Sequence, residues 1–424
     1  MFTINNSFEL RDKGRSDSKD TALLPRHRWY VLKEAFSPEL VMSAINKAEV
    51  KEGELIIDPF SGSGTTALTS SLNGFKGIGI EVNPFLAFVA ETKLISREPN
   101  TINKYLPLIK NSFNKQVKSH LEGISTFSET NNDEKWLFNT SVLRTFESGW
   151  QAVQTIPSTT KKIFQLCLIG AAMDVCNAKP DGKCLRYKKK WMDLDYNEKD
   201  FKDAFEKRIC NVIEDINQTT LNKSSNIVHA DCRKYLETLV DEKFKLCVTS
   251  PPYLNSFDYS DVYRPEMFLG RFIKDNNDLM AVRMQTMRSH IQASWKAPER
   301  IISSHLLQES LSKIIERHDL LWSNKIPSMI LAYFEDWDNI LRNLDCKSEK
   351  NAQLWIVVST SAYAGIEIPV DLIIADIATK HNWYLQEIGV LRYIRTSGQH
   401  WNNIEDKAQK PSLRESVIIL RKQI

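Results

Sequence analysis

The sequence predicts an α/β fold built on a doubly wound, mostly parallel sheet, closed by an antiparallel hairpin and interrupted by helical insertions. Three stretches carry that prediction. Glu54-Leu-Ile-Ile57 is a short apolar strand running into Asp58 and a Gly-rich turn; a helical stretch and a second strand, Gly77-Ile-Gly-Ile80, follow and end at Glu81. Phe244 to Val248 is another apolar strand, feeding the phrase Ser250-Pro-Pro-Tyr253. Near the end, Ile388 to Tyr393 and Ser416 to Leu420 are strands able to pair as the closing hairpin.

Residues 1–22 carry mixed charge and few large apolar groups, and are expected to form a mobile arm. The first part of the α/β fold spans 23–95. In it Phe36-Ser37-Pro38-Glu39 reads as a helix start, with Ser37 as N-cap and Pro38 in the first turn. Leu40, Val41, Ala44 and Ile45 then recur at helical spacing. Thr65 to Leu72 reads as a helix stopping near Asn73-Gly74. Residues 96–225 read as a helical insertion, because Phe113 to Leu121, Lys161 to Cys176 and Phe201 to Ile216 favour helix and strand signals are few. The α/β texture resumes over 226–424. There Ile227-Val228 precedes Asp231, a helix covers 232–240, and a second helical insertion spans 260–320. Leu354-Trp-Ile-Val-Val358 is a strand, and Pro369 opens a helix with Ile373 and Ile377 one turn apart.

Composition removes several classes. A chain of 424 residues with 42% hydrophobic and 26% charged residues is long enough for real cores. The net charge of +3 does not announce a nucleic-acid binder, so any such surface has to come from local clusters of Lys and Arg. Seven cysteines show no Cys-x-x-Cys pair and no zinc-like spacing with His, so no metal site is expected and free thiols in a cytoplasmic protein are. The N-terminus through Asp20 lacks the apolar core of a signal peptide. The most apolar helical stretch, Ile163 to Met173, is too short to span a bilayer, so no membrane partner is expected.

Asp58-Pro59-Phe60-Ser61-Gly62-Ser63-Gly64-Thr65-Thr66 puts two glycines where the chain turns from strand to helix. A ligand can approach the backbone there, and the helix start offers unpaired N–H groups. No Gly-Lys-Ser/Thr follows, so a P-loop is excluded, and Asp58 would repel an anion but attract an ammonium. Glu81, at the next strand end, sits where an acid binds ribose hydroxyls. The competing interpretation is a plain turn with a helix cap. In Ser250-Pro251-Pro252-Tyr253 the prolines stiffen the backbone and remove two N–H donors, leaving fixed acceptors. Ser250 Oγ and the Pro251 carbonyl can take the two hydrogens of an exocyclic amine, with Tyr253 stacked on the ring that bears it. Here the competing interpretation is a Pro-Pro turn at a strand end.

Together the two phrases resemble the signature pair of the amino-methylating DNA methyltransferases, the N4-cytosine/N6-adenine family. The resemblance covers most of the chain. Arg26-His27 through Phe36-Ser-Pro38 looks like the segment that closes over the methionine end of the cofactor, and Leu354 to Tyr363 like the later strand and loop of the catalytic half. It implies a Rossmann-like methyltransferase sheet and S-adenosyl-L-methionine as cofactor, with Asp58 on its ammonium, Glu81 on its ribose and Asp231 on its adenine amine. It also implies direct transfer to a base flipped out of double-stranded DNA, in an enzyme paired with a restriction endonuclease. Ser250 in place of an acid resembles the N4-cytosine branch more than the N6-adenine branch. The order of motifs is similar to the family's α arrangement, except that the first insertion lies upstream of Asp231, which leaves open which insertion reads DNA.

Candidate phosphate contacts are Arg26-His27-Arg28, Lys188-Lys189-Lys190, and the series Arg283, Arg288, Lys296 and Arg300, with Trp191 and Trp295 beside two of the clusters. A lysine run is as often only a solvated face. Two further functions compete: an RNA methyltransferase acting on guanine N2, disfavoured by Ser250, and a non-catalytic DNA-binding protein on a methylase fold, disfavoured by the intact motifs.

Overall fold

The computed structural model describes residues 3–12, 21–129, 134–181, 184–239, 243–394 and 413–423. In chain order its strands are β1 (Ile4–Asn5), β2 (Leu55–Asp58), β3 (Lys76–Glu81), β4 (Ala178–Pro180), β5 (Leu185–Tyr187), β6 (Asn226–His229), β7 (Phe244–Thr249), β8 (Ser348–Ser359), β9 (Ser361–Tyr363), β10 (Ile366–Ile368), β11 (Trp383–Ile394) and β12 (Leu413–Lys422). Eight of them form one sheet in the order β1-β11-β12-β8-β7-β2-β3-β6. The run from β6 to β8 is parallel, and β12 is antiparallel to both β8 and β11. This is the predicted parallel sheet with its closing hairpin. The order reverses between β2 and β7, so the ends of β2 and β7 flank a crevice at the carboxyl edge.

β2 and β7 are apolar because both their faces are covered. Ile57 and Cys247 face a core shared with the helices Ile326–Lys347 and Val370–Ala378. The alternate residues Ile56 and Val248 face a second core with the helix Pro38–Lys47. That helix starts as predicted: Ser37 Oγ accepts from the Glu39 amide and Pro38 occupies the first turn. Leu40, Val41, Ala44 and Ile45 are its buried stripe. The helices Thr65–Leu72 and Val370–Ala378 also fall where the sequence places them.

Three expectations fail. Residues 3–12 of the expected arm are packed: Ile4 and Asn5 pair in parallel with β11, and Phe8 and Leu10 are buried in the second core. Two apolar side chains in a charged stretch were enough to dock it. Residues 13–20 of that arm lie outside the described residues. The helix expected at 113–121 lies earlier, at Pro99–Ser112, with Pro107 inside it; after a short turn at Phe113–Lys115 the chain leaves through Gln116 at φ +49°. Finally, the insertion 96–225 is not purely helical. The helices Thr140–Val153, Ser158–Asp174 and Glu198–Gln218 pack with Trp29, Tyr30 and Phe85 in a third core, and the ribbon β4–β5 projects from them.

Candidate active site

The glycine loop wraps the end of β2. Gly64 holds φ +84°, and a Cβ there would lie 2.8 Å from the Ala90 Cβ, so only glycine fits. Gly79 on β3 leaves room for Ser61, whose Oγ would stand 2.2 Å from a Cβ at that position. Glu81 accepts from the Gly62 amide at 2.7 Å and the Asn83 amide at 2.8 Å, fixing the loop against β3. Burial pushes its carboxyl up to about 7, against the pull of those two amides.

Asp58 is not placed as expected. Its carboxylate is buried and takes Thr66 Oγ1 at 2.8 Å, Thr249 Oγ1 at 2.6 Å and the Phe60 amide at 3.1 Å. It is 1% exposed and does not line the cavity beside the loop, and burial pushes it up to about 6. It joins the glycine loop to the end of β7. Asp231 caps the helix Cys232–Thr238, and its oxygens accept from the Arg233 amide at 3.0 Å, Nε at 2.9 Å and Nη2 at 2.8 Å. Arg233 in turn reaches Asp336 at 3.0 Å.

The Ser-Pro-Pro-Tyr loop is anchored at each polar atom that faces the fold. Ser250 Oγ donates to the Val357 carbonyl at 3.2 Å, and the Pro252 carbonyl accepts from Tyr333 Oη at 3.1 Å. Tyr253 Oη donates to Glu415 Oε1 at 2.7 Å, and the Leu254 carbonyl accepts from Tyr363 Oη at 3.2 Å.

One cavity of about 430 Å³ joins the two loops, within the size range of small-molecule sites. Pro59, Phe60, Ser61, Gly62, Ser63 and Thr65 of the glycine loop line it together with Glu81, Asp231 and Ser250 to Tyr253. Of the residues of the two motifs, Asp58, Gly64 and Thr66 do not line it. Ser61 Oγ and Glu34 Oε1, both on lining residues, are buried without a hydrogen-bond partner. Such orphaned atoms fit a polar ligand. Sequence reasoning missed Glu34, Phe257, Tyr259, Tyr263, His290 and Arg392, which also line the cavity. The run of aromatics just after Tyr253 was the one available signal. The others come from segments whose spacing carries no periodicity.

Most of the predicted phosphate contacts are corrected by the structure. Arg26 is 1% exposed and donates to the Lys93 and Ile95 carbonyls, while Arg28 pairs with Asp215 at 2.6 Å. His27 is buried, and burial pushes its imidazole down to about 3. Arg283 is held 2.5 Å from Asp258, and Arg288 lies 2.7 Å from both Asp336 and Glu335. These arginines tie the second insertion to the residues that flank it. Lys296 and Arg300 stay more exposed and pair with Glu299 and Asp338. Trp191 is buried against Trp136 and Tyr187, and Trp295 donates to the His290 carbonyl. Lys188 bonds the Asp174 carbonyl at 3.2 Å, whereas Lys189 and Lys190 of the first insertion are exposed. Among the described residues no group of His, Cys, Asp and Glu could hold a metal, and no helix is long and apolar enough to cross a membrane.

Residues 4–91 match the family model described as DNA methylase. The Type II methyltransferase M.AvaI of Nostoc sp. is 26% identical over 400 residues, covering 87% of this chain and 81% of that protein. M.BsoBI, a Type II methyltransferase of Geobacillus stearothermophilus, is 25% identical over 83% of this chain and 77% of its own length. A tRNA (guanine(10)-N2)-dimethyltransferase of Methanocaldococcus jannaschii is 30% identical, over 29% of this chain and 33% of its own. With the sheet order and the two-loop cavity, these matches define an S-adenosylmethionine-dependent methyltransferase of Rossmann-like fold. Within that class, the match of residues 4–91 and the likeness to the Type II methyltransferases support a DNA amino-methyltransferase of the N4/N6 family.

Proposed function

We propose that the chain methylates the N4 amine of a cytosine everted from double-stranded DNA, in the cytoplasm of a bacterial or archaeal cell, as the modification partner of a restriction endonuclease. One observation carries transfer to an exocyclic amine: Ser250 Oγ spends its hydrogen on the Val357 carbonyl, so toward the cavity its oxygen can only accept. The choice of cytosine rests on the resemblance of a serine at this position to the N4-cytosine branch. An exocyclic amine offers two hydrogens. Ser250 Oγ takes one and the Pro251 carbonyl the other, which leaves the nitrogen lone pair aimed across the cavity. The cofactor supplies an electrophilic methyl group on sulfur. What the protein contributes is alignment, with Glu81 and Asp231 at the nucleoside end and Ser250 at the amine. A base in a duplex is out of reach, so eversion is required. Stacking on Tyr253 then contributes about 1–3 kcal/mol. Lys189 and Lys190, with Lys188 behind them, supply phosphate contacts from the first insertion.

DNA from a methylation-free host expressing the chain, digested and separated by mass, is expected to contain N4-methylcytosine. N6-methyladenine in its place would move the target to adenine. The short match to the tRNA enzyme supports a second possibility, methylation of guanine N2 in RNA, and label appearing in tRNA but not in DNA would establish it.

A further inference from the structure

We infer that Glu415 and Arg392 are positioning residues that brace the Tyr253 ring at the angle where it meets an everted base. The inference rests on the proposed base-methylating function and assigns it two residues outside the motifs. Stacking by itself asks only for an aromatic ring, and a hydroxyl on that ring could be left to water. Here the Tyr253 hydroxyl donates inward to Glu415 Oε1 at 2.7 Å, which fixes the plane of a side chain carried on an irregular loop.

Glu415 lies on β12 and is 0% exposed. A carboxylate so placed persists only when matched by charge. Arg392 matches it, with Nε 2.8 Å from Oε2 and Nη2 3.3 Å from Oε1. The two residues are directly opposed across the hairpin because β11 slips register between Val390 and Arg392. Without that bulge, Arg392 would share the face of Val390 and point away from Glu415. The irregularity thus turns Arg392 toward the cavity that it lines and places its charge on the acid that grips Tyr253. Loop, β12 and β11 are joined through three side chains at the reaction end of the cavity.

The test uses the full chain with Tyr253→Phe, Glu415→Gln and both together. Tyr253→Phe keeps the ring and removes the tether. It is expected to lower kcat for DNA methylation roughly tenfold, the scale of a hydrogen bond to a charged group, with KM and cofactor affinity unchanged. Glu415→Gln still offers an oxygen to the hydroxyl and is expected to lose less. The double variant is expected to fall no further than Tyr253→Phe, because both changes act on one contact. A Tyr253→Phe enzyme turning over at the unsubstituted rate would overturn the brace. So would losses in the two variants that simply multiply, or that track a fall in melting temperature. Failure of the unsubstituted chain to methylate any DNA would instead sink the base-methylating function, and the brace with it.

Discussion

At the scale of single residues, two buried acids carry the most information. Asp58 ends a strand, as the sequence expected, but its carboxylate is taken up by Thr66 and Thr249. Asp58→Ala is therefore expected to destabilise the fold by about 1–3 kcal/mol, the penalty for stranding buried donors, with Asp58→Asn milder. Urea unfolding measures both. Glu81 titrates near 7 because burial opposes its charge. A carboxylate accepts from two ribose hydroxyls only when ionised, so affinity for S-adenosylhomocysteine is expected to rise with pH through about 7. Calorimetric titration should find that slope lost in Glu81→Gln. The type and position of both acids were legible in the sequence. The direction of the Asp58 side chain was not, since it depends on Thr249, which is distant in the chain and adjacent only once β2 and β7 pair.

At the scale of elements, periodicity served well where one face was buried. Leu40, Val41, Ala44 and Ile45 announced their helix, and the terminal hairpin was visible as two apolar runs. It failed where chemistry was local or paired from afar. Pro107 disguised a helix that tolerates it, and the ribbon β4–β5 is too short to show alternation. Charge was the least legible property, because a row of arginines looks the same whether it meets phosphate or carboxylate. In the second insertion Arg283 and Arg288 meet carboxylates, while Lys189 and Lys190 of the first are exposed. Lys189→Ala and Lys190→Ala are expected to leave stability unchanged and to lower the salt dependence of DNA binding by roughly one unit of slope each. Arg288→Ala, which removes one of the two arginines on buried Asp336 and the cation on half-buried Glu335, is expected to cost about 1–3 kcal/mol of stability. Filter binding across a salt series and thermal melting distinguish these outcomes.

For the whole molecule, the buried acids make stability depend on pH in an unusual direction. Unfolded, Asp58 and Glu81 lose their protons near 3.8 and 4.5; folded, they hold them to about 6 and about 7. The folded state binds more protons in that window, so these two groups are expected to lower stability as pH rises from about 4 to about 7. Denaturant midpoints across the range, compared with an Asp58→Asn variant, would show it. A saturating cofactor analogue at a hundredfold its Kd is expected to add about 2.7 kcal/mol at fixed pH. The sheet order was legible as a class because strand, Gly-rich turn and helix recur in sequence, and the two motifs pointed to one shared site; the rest of its lining was not legible, since it comes from segments some two hundred positions apart. The Asp58 tether to Thr66 and Thr249 has one more implication. One carboxylate thus couples the end of β2 to the end of β7, so loosening it is expected to free both loops together rather than either alone.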